Sequence, residues 1–73
     1  MKSNSDFIDP LFDEARKIVI LHKTGSASLL QRKLRIGYTR AASILDQLED
    51  SGIVGPSLGS KAREVFVERL DDF

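Results

Sequence analysis

Leu11, Phe12, Ala15, Ile18, Val19 and His22 recur at the three- and four-residue spacing of a single helix face. Asp9-Pro10 stands just ahead of them, an N-cap followed by a proline at the first helical position. Asp13 and Glu14 fall where the positive end of the helix dipole favours carboxylates, and Arg16, Lys17 and Lys23 lie in its later part. Thr24-Gly25 is expected to end this first helix, with His22 in line with its buried face. A short connection, Ser26-Ala27-Ser28, leaves room for a brief edge strand. Ser28 with Gln31 then reads as a capping box for a second helix of about two turns that buries Leu29, Leu30 and Leu34.

Arg35-Ile36-Gly37 interrupts that helix, and Gly37 is expected to supply the backbone conformation that side chains resist. A third helix follows from Tyr38 to Ser51, with Gly52 at its C-cap. Ala41, Ile44, Leu45 and Leu48 face inward in it, and Thr39, Ser43, Asp46 and Asp50 face outward. Arg40 and Gln47 flank the polar stripe. Beyond it, Ile53-Val54 and the run Arg63-Glu64-Val65-Phe66-Val67 have strand composition, separated by the turn-rich residues 55–62. The order predicts a mainly α domain with a small β-hairpin, a winged helix-turn-helix of three helices plus wing, over residues 9–68. A polar tail or linker remnant is expected at 1–8 and an acidic tail at 69–73.

The chain has 73 residues, enough for one modest core, and a domain of this size buries only about 60% of the surface its unfolded form exposes. It contains no cysteine, so that core must come from Leu, Ile, Val, Phe and Ala without disulfides or thiolate metal sites. No apolar run reaches the roughly 20 residues needed to cross a bilayer, and the opening lacks the layout of a secretory signal. A cytoplasmic location is expected.

Charge changes the picture more than composition does. The formal net charge is zero, yet residues 15–45 hold Arg16, Lys17, Lys23, Arg32, Lys33, Arg35 and Arg40 without one Asp or Glu, and the balancing acids lie at the two ends. A local basic footprint, rather than the total, is what a phosphate backbone senses. Arg32, Lys33, Arg35 and Arg40 straddle the turn between the second and third helices, next to outward backbone N–H groups that favour anions. A solvated basic surface would look similar; the long acid-free stretch favours phosphate contact.

Thr39, Ser43 and Asp46, with Gln47 beside them, occupy the face a recognition helix turns to base edges. Asp46 can accept from a cytosine amino group, and Thr39 or Ser43 can bond several bases. The same small polar residues also suit an ordinary solvated face. Tyr38 has a hydroxyl for a phosphate, although a ring packed against the first helix is the more ordinary role. Lys61 and Arg63, in the wing, complete the candidate set. Catalysis has little to build on: one His, no Cys, acids away from any evident cleft and no phosphate-binding glycine loop. No enzyme activity, cofactor or metal is expected.

The stretch from Leu29 to Val65 also resembles a known family, the C-terminal gamma domain of the FtsK/SpoIIIE bacterial DNA translocases. The shared residues are Gln31-Arg32, Arg35-Ile36-Gly37-Tyr38, Arg40-Ala41-Ala42, Leu48-Glu49, Gly52-Ile53-Val54-Gly55-Pro56, Gly59 and Arg63-Glu64-Val65, and the likeness extends from about Asp9 to Val67. The resemblance implies a winged-helix module joined to a hexameric motor, which binds short, polar, G-rich sequences in double-stranded DNA so that the motor loads facing one way during chromosome segregation. It also implies contact with a XerD-type tyrosine recombinase, as in several members, and a parent protein anchored in the inner membrane at the division septum. Where family members carry Asn, Arg and Glu, this chain has Thr39, Ser43 and Asp46. An Arg replaced by Ser removes a bidentate donor to guanine, about 1–3 kcal/mol of discrimination, so sequence preference is expected to differ. A second reading is a winged helix used for protein docking, with weak or non-specific DNA binding. The free domain is expected to be a monomer, with several copies able to share one DNA site.

Overall fold

The computed structural model describes residues 7–70 and contains three helices in chain order: α1 (Phe12–His22), α2 (Ala27–Leu34) and α3 (Tyr38–Asp50). Of the two expected tails, residues 1–6 and 71–73 lie outside the described residues. The three helices share one core. Ala15, Val19 and Ile20 enter it from α1, Leu30 from α2, and Ala41, Ile44, Leu45 and Leu48 from α3, with Ile53 and Val54 closing it from the following segment. These are the apolar positions that helical spacing brings to one side, so burial of that stripe is what holds the helices together.

The helix starts differ from expectation in two places. Asp9 accepts a hydrogen bond from the Leu11 N–H at Oδ1, 2.8 Å, and its carbonyl accepts from Phe12 N–H, so Pro10 and Leu11 form a turn and α1 begins at Phe12. For α2 the cap is Ser26, whose Oγ accepts from Leu29 N–H at 3.1 Å; Ser28 lies inside the helix. Ser26 wins because an N-cap needs extended backbone three residues before the donor, and it has it at φ −94°, ψ 123°. His22 is exposed in the last turn of α1, while Ile20 takes the buried place beside Val19.

All three helices close in the same way. Lys23, Arg35 and Gly52 adopt left-handed backbone, at φ 57°, 58° and 79°, and the next residue in each case donates its N–H to the carbonyl five positions back. Those bonds run from Thr24 to Val19, from Ile36 to Gln31 and from Ile53 to Leu48. This arrangement satisfies carbonyls a helix end would leave open. Only α3 uses glycine for it. Gly37, expected to be the left-handed residue between α2 and α3, is an extended N-cap at φ −79°, ψ 170°, and Arg35 holds the strained position instead.

The segment after α3 pairs antiparallel through isolated bridges rather than strands. Gly55 N–H donates to Glu64 O and Phe66 N–H to Ile53 O, both at 2.9 Å, around the Val54–Val65 bridge. On its other edge Arg63 exchanges both backbone hydrogen bonds with Gly25 at 3.0 Å. The edge contact expected near residues 26–28 is thus made by Gly25. Its closeness explains the glycine: a Cβ there would sit 2.9 Å from Arg63 Cβ and 3.0 Å from Arg63 O.

Candidate nucleic-acid interface

The cations singled out from the sequence separate into two groups once side chains are in place. Arg32 and Lys33, in the last turn of α2, and Arg35, at its left-handed end, are exposed, and among the described residues no ion pair engages them. Left-handed backbone is unfavourable for a side-chain-bearing residue, so Arg35 holds its place against local strain. Tyr38, Thr39 and Ser43 are exposed along the start of α3, just past this turn. Tyr38 is 62% exposed, so its ring does not pack under the domain.

Arg40 and Arg63 form the second group. Arg40 grips Asp9 with two hydrogen bonds, Nε to Oδ2 and Nη2 to Oδ1, each 2.9 Å. The carboxylate is 9% exposed and the Arg40 side chain 46% exposed, so the pair sits at the edge of the fold with one face to solvent. The hydrogen bonds from Arg40 hold the Asp9 carboxyl below its ordinary 3.8, against the opposing effect of burial, with help from the Leu11 N–H. Asp9 raises the Arg40 guanidinium in return.

Gln47 anchors the same segment from below. Its Oε1 accepts from Asp9 N–H at 3.0 Å and its Nε2 donates to Phe7 O at 3.2 Å, and the side chain is buried. The side-chain oxygen and nitrogen are therefore both engaged with backbone 38 and 40 residues away, which removes Gln47 from the flank of the polar stripe where the helical wheel sets it.

Arg63 is buried as well. Its Nη2 donates to Asp46 Oδ1 at 2.8 Å, and its Nη1 faces Glu49 Oε1 at 3.3 Å and Leu45 O at 3.4 Å. Asp46 remains largely exposed on α3 despite this pairing. A guanidinium with its hydrogen bonds directed inward is the condition under which a buried arginine is tolerated. Lys61, two residues earlier, is exposed at the rim of a cleft of about 220 Å³. Tyr38 and Ala42 of α3 form one wall of that cleft, and Ser26, Ser57 and Ser60 add hydroxyls. Hydroxyls, one lysine and an open mouth suit a polar, negatively charged strand better than an apolar ligand.

The pairing partners were invisible to pattern reading. Asp9 reads as a helix cap and Glu49 as part of an acidic helix end, and nothing in their local spacing points to residues 40 and 63. The only sequence signal was the unequal distribution of charge, with acids at both ends of the chain and cations between. Among the described residues there is no group of three or more His, Cys, Asp or Glu side chains placed to hold a metal, and no helix is long and apolar enough to cross a membrane.

Residues 6–68 match the Ftsk gamma domain family. The chain is 52% identical over 63 residues to the DNA translocase FtsK of Chlorobaculum tepidum and 55% identical over 64 residues to that of Halalkalibacterium halodurans, covering 86% and 88% of its own length. It is 47% identical over 68 residues, 93% of its length, to the DNA translocase SpoIIIE of Bacillus subtilis. The chain spans only 8–9% of the length of these relatives, so the match concerns one small part of each. By a family match across most of its residues and about half identity to these translocases, the chain belongs to the FtsK gamma domain family.

Proposed function

We propose that this chain is the double-stranded DNA-binding module of a septal DNA translocase, a winged helix with α3 in the major groove and residues 53–66 as its wing. The observation that carries this reading is the cluster of exposed cations, Arg32, Lys33 and Arg35, without an ion pair among the described residues, beside the exposed start of α3. The cleft at Lys61 extends it, since a phosphodiester strand fits hydroxyls and a lysine. In this arrangement Arg32, Lys33, Arg35, Tyr38, Lys61 and the outer edge of Arg40 meet phosphates, while Thr39, Ser43 and Asp46 meet base edges. Gln47 and Arg63 shape the surface from beneath.

The module is non-catalytic and reads short polar G-rich sequences to orient loading of a motor carried elsewhere in the parent protein, which sits in the inner membrane at the septum. The relatives' names as DNA translocases, and the small share of their length the chain matches, support a motor carried elsewhere in the parent protein. Contact with a XerD-type recombinase belongs to the same proposal.

Fluorescence anisotropy of a G-rich polar octamer duplex and its scrambled counterpart, titrated at several salt concentrations, tests the reading. Tighter binding of the octamer supports it. Equal binding with a steep salt slope leaves a backbone binder without the loading signal, and no binding to either overturns it. One observation favours protein docking as a second reading: Arg40 and Arg63 both face carboxylates of the chain itself, which lowers the free positive charge. A docking-only module washes through heparin resin at low salt, whereas the DNA-binding module is retained.

A further inference from the structure

Asp46, Glu49 and Asp50 place three carboxylates on the last two turns of a helix proposed to lie against a polyanion. Unscreened, that juxtaposition opposes binding. The structure sets one cation against two of the three. Arg63 comes from the segment after α3, its backbone locked to Gly25 by two 3.0 Å hydrogen bonds, and its guanidinium ends between Asp46 Oδ1 and Glu49 Oε1 with a further contact to Leu45 O. The arginine side chain is 9% exposed and that of Asp46 is 62% exposed, so the cation is beneath and the carboxylate is on top.

We infer that Arg63 is a positioning residue for base reading: it offsets part of the negative charge of Asp46 and Glu49 and holds Asp46 Oδ1, so that Oδ2 is presented as an acceptor for a cytosine amino group. The inference rests on the DNA-binding reading above. Two features of the arrangement carry it. First, an aspartate has a short stem with few rotamers, and a charge-assisted hydrogen bond at one oxygen fixes the direction of the other. Second, the guanidinium contacts α3 at residues 45, 46 and 49, which ties the segment 63–66 to the helix face and fixes how far the carboxylate stands from the duplex. Arg63 itself touches neither base nor phosphate. A wing arginine that reads as a DNA contact in the sequence becomes the support of an acidic reader on the neighbouring helix.

The test is selection from a library of 20-base-pair duplexes with a randomised centre, using the whole chain as wild type and as Arg63→Lys. Lysine keeps the charge and the aliphatic stem but cannot reach Asp46 and Glu49 in a fork. The expected result is a wild-type motif containing a C·G pair whose preference falls at least about fivefold in Arg63→Lys, with affinity and salt slope on a scrambled duplex unchanged. An unchanged motif overturns the inference, and so does a uniform loss of affinity with a salt slope smaller by about one, the mark of a lost phosphate contact. If the wild type binds duplexes without any motif, the inference falls and the DNA-binding reading stands; if it binds none, that reading falls first. Should Arg63→Lys not fold, Asp46→Ala decides the matter, because its side chain is exposed: an identical motif overturns the inference, and loss of the C·G preference supports it.

Discussion

Arg40 of α3 and Asp9, 31 residues earlier in the chain, are joined by two parallel hydrogen bonds of 2.9 Å that tie the segment before α1 to the helix proposed to read DNA. Gln47 fastens the same segment two turns further along α3. The gamma domain's N-terminal edge and its candidate interface are thus one connected unit, and a change at Asp9 is felt on α3.

Acid should loosen that unit. The Asp9 carboxyl in the folded chain titrates below its ordinary 3.8, chiefly through the hydrogen bonds from Arg40. A depressed folded value means the stabilisation is fully present above the unfolded value and is lost as the pH falls through the folded one. Urea midpoints are expected to drop below about pH 4 in the wild type, and Asp9→Asn, which lacks the charge at every pH, should lower the midpoint at pH 7 and flatten the acid limb. Equal acid limbs in the two proteins would show that the pair contributes nothing to pH-dependent stability.

Gln47 offers a direct readout of the anchored segment. Gln47→Ala removes the acceptor of the Asp9 N–H, so hydrogen exchange at the Asp9 amide should become much faster. Duplex affinity measured alongside should stay within about twofold if the Gln47 amide makes no DNA contact. A large affinity loss with the Asp9 amide still protected would place Gln47 in the interface.

Arg35 should trade stability against binding. Its left-handed backbone at φ 58° suits glycine, so Arg35→Gly is expected to stabilise the domain by roughly 0.5–1 kcal/mol in chemical denaturation. The same change should weaken duplex binding and reduce the salt slope by about one. Lys23→Gly relieves the same strain at the end of α1 and serves as a control for the stability arm.

Two glycines should respond to alanine to different degrees. Gly25→Ala sets a methyl group against Arg63 backbone and Cβ, and should cost about 1–3 kcal/mol, read as a lower thermal midpoint. Gly37→Ala meets no atom within 4 Å and already has negative φ, so its effect should stay under about 1 kcal/mol, the modest penalty of alanine at an N-cap.

Much of this molecule was legible before its structure. The three helices lie where the apolar spacing puts them, because a stripe at three- and four-residue intervals can be buried only by a helix turning that stripe inward. Gly52 as the stop signal of α3 was equally plain, although the C-cap itself is Ser51 and Gly52 is the left-handed residue that follows it. The cap of α2 went to Ser26 rather than Ser28 because two serines stood within two positions of each other and backbone geometry chose between them, and the left-handed turn went to Arg35 rather than Gly37 against residue preference, because the helix ends there. The candidate face was legible in part: Arg32, Lys33 and Arg35 are exposed as the charge block suggests and Thr39 and Ser43 as the helical wheel suggests, whereas Tyr38 is exposed where a ring packed against α1 was the more ordinary expectation.

What the sequence determined by itself was therefore local: helix positions, the apolar stripe, the concentration of cations between acidic ends, and a family likeness carried by residue identity. What the tertiary structure alone decided was pairing across distance. Asp9 meets Arg40, Gln47 meets Phe7 and Asp9, and Arg63 meets Asp46 and Glu49, at separations of 14 to 40 residues. Helical and strand periods describe which way a side chain points relative to its own element, whereas an ion pair depends on where two elements come to rest against each other. That is set by the packing of the shared core, and it divides cations of one block into exposed ones and engaged ones.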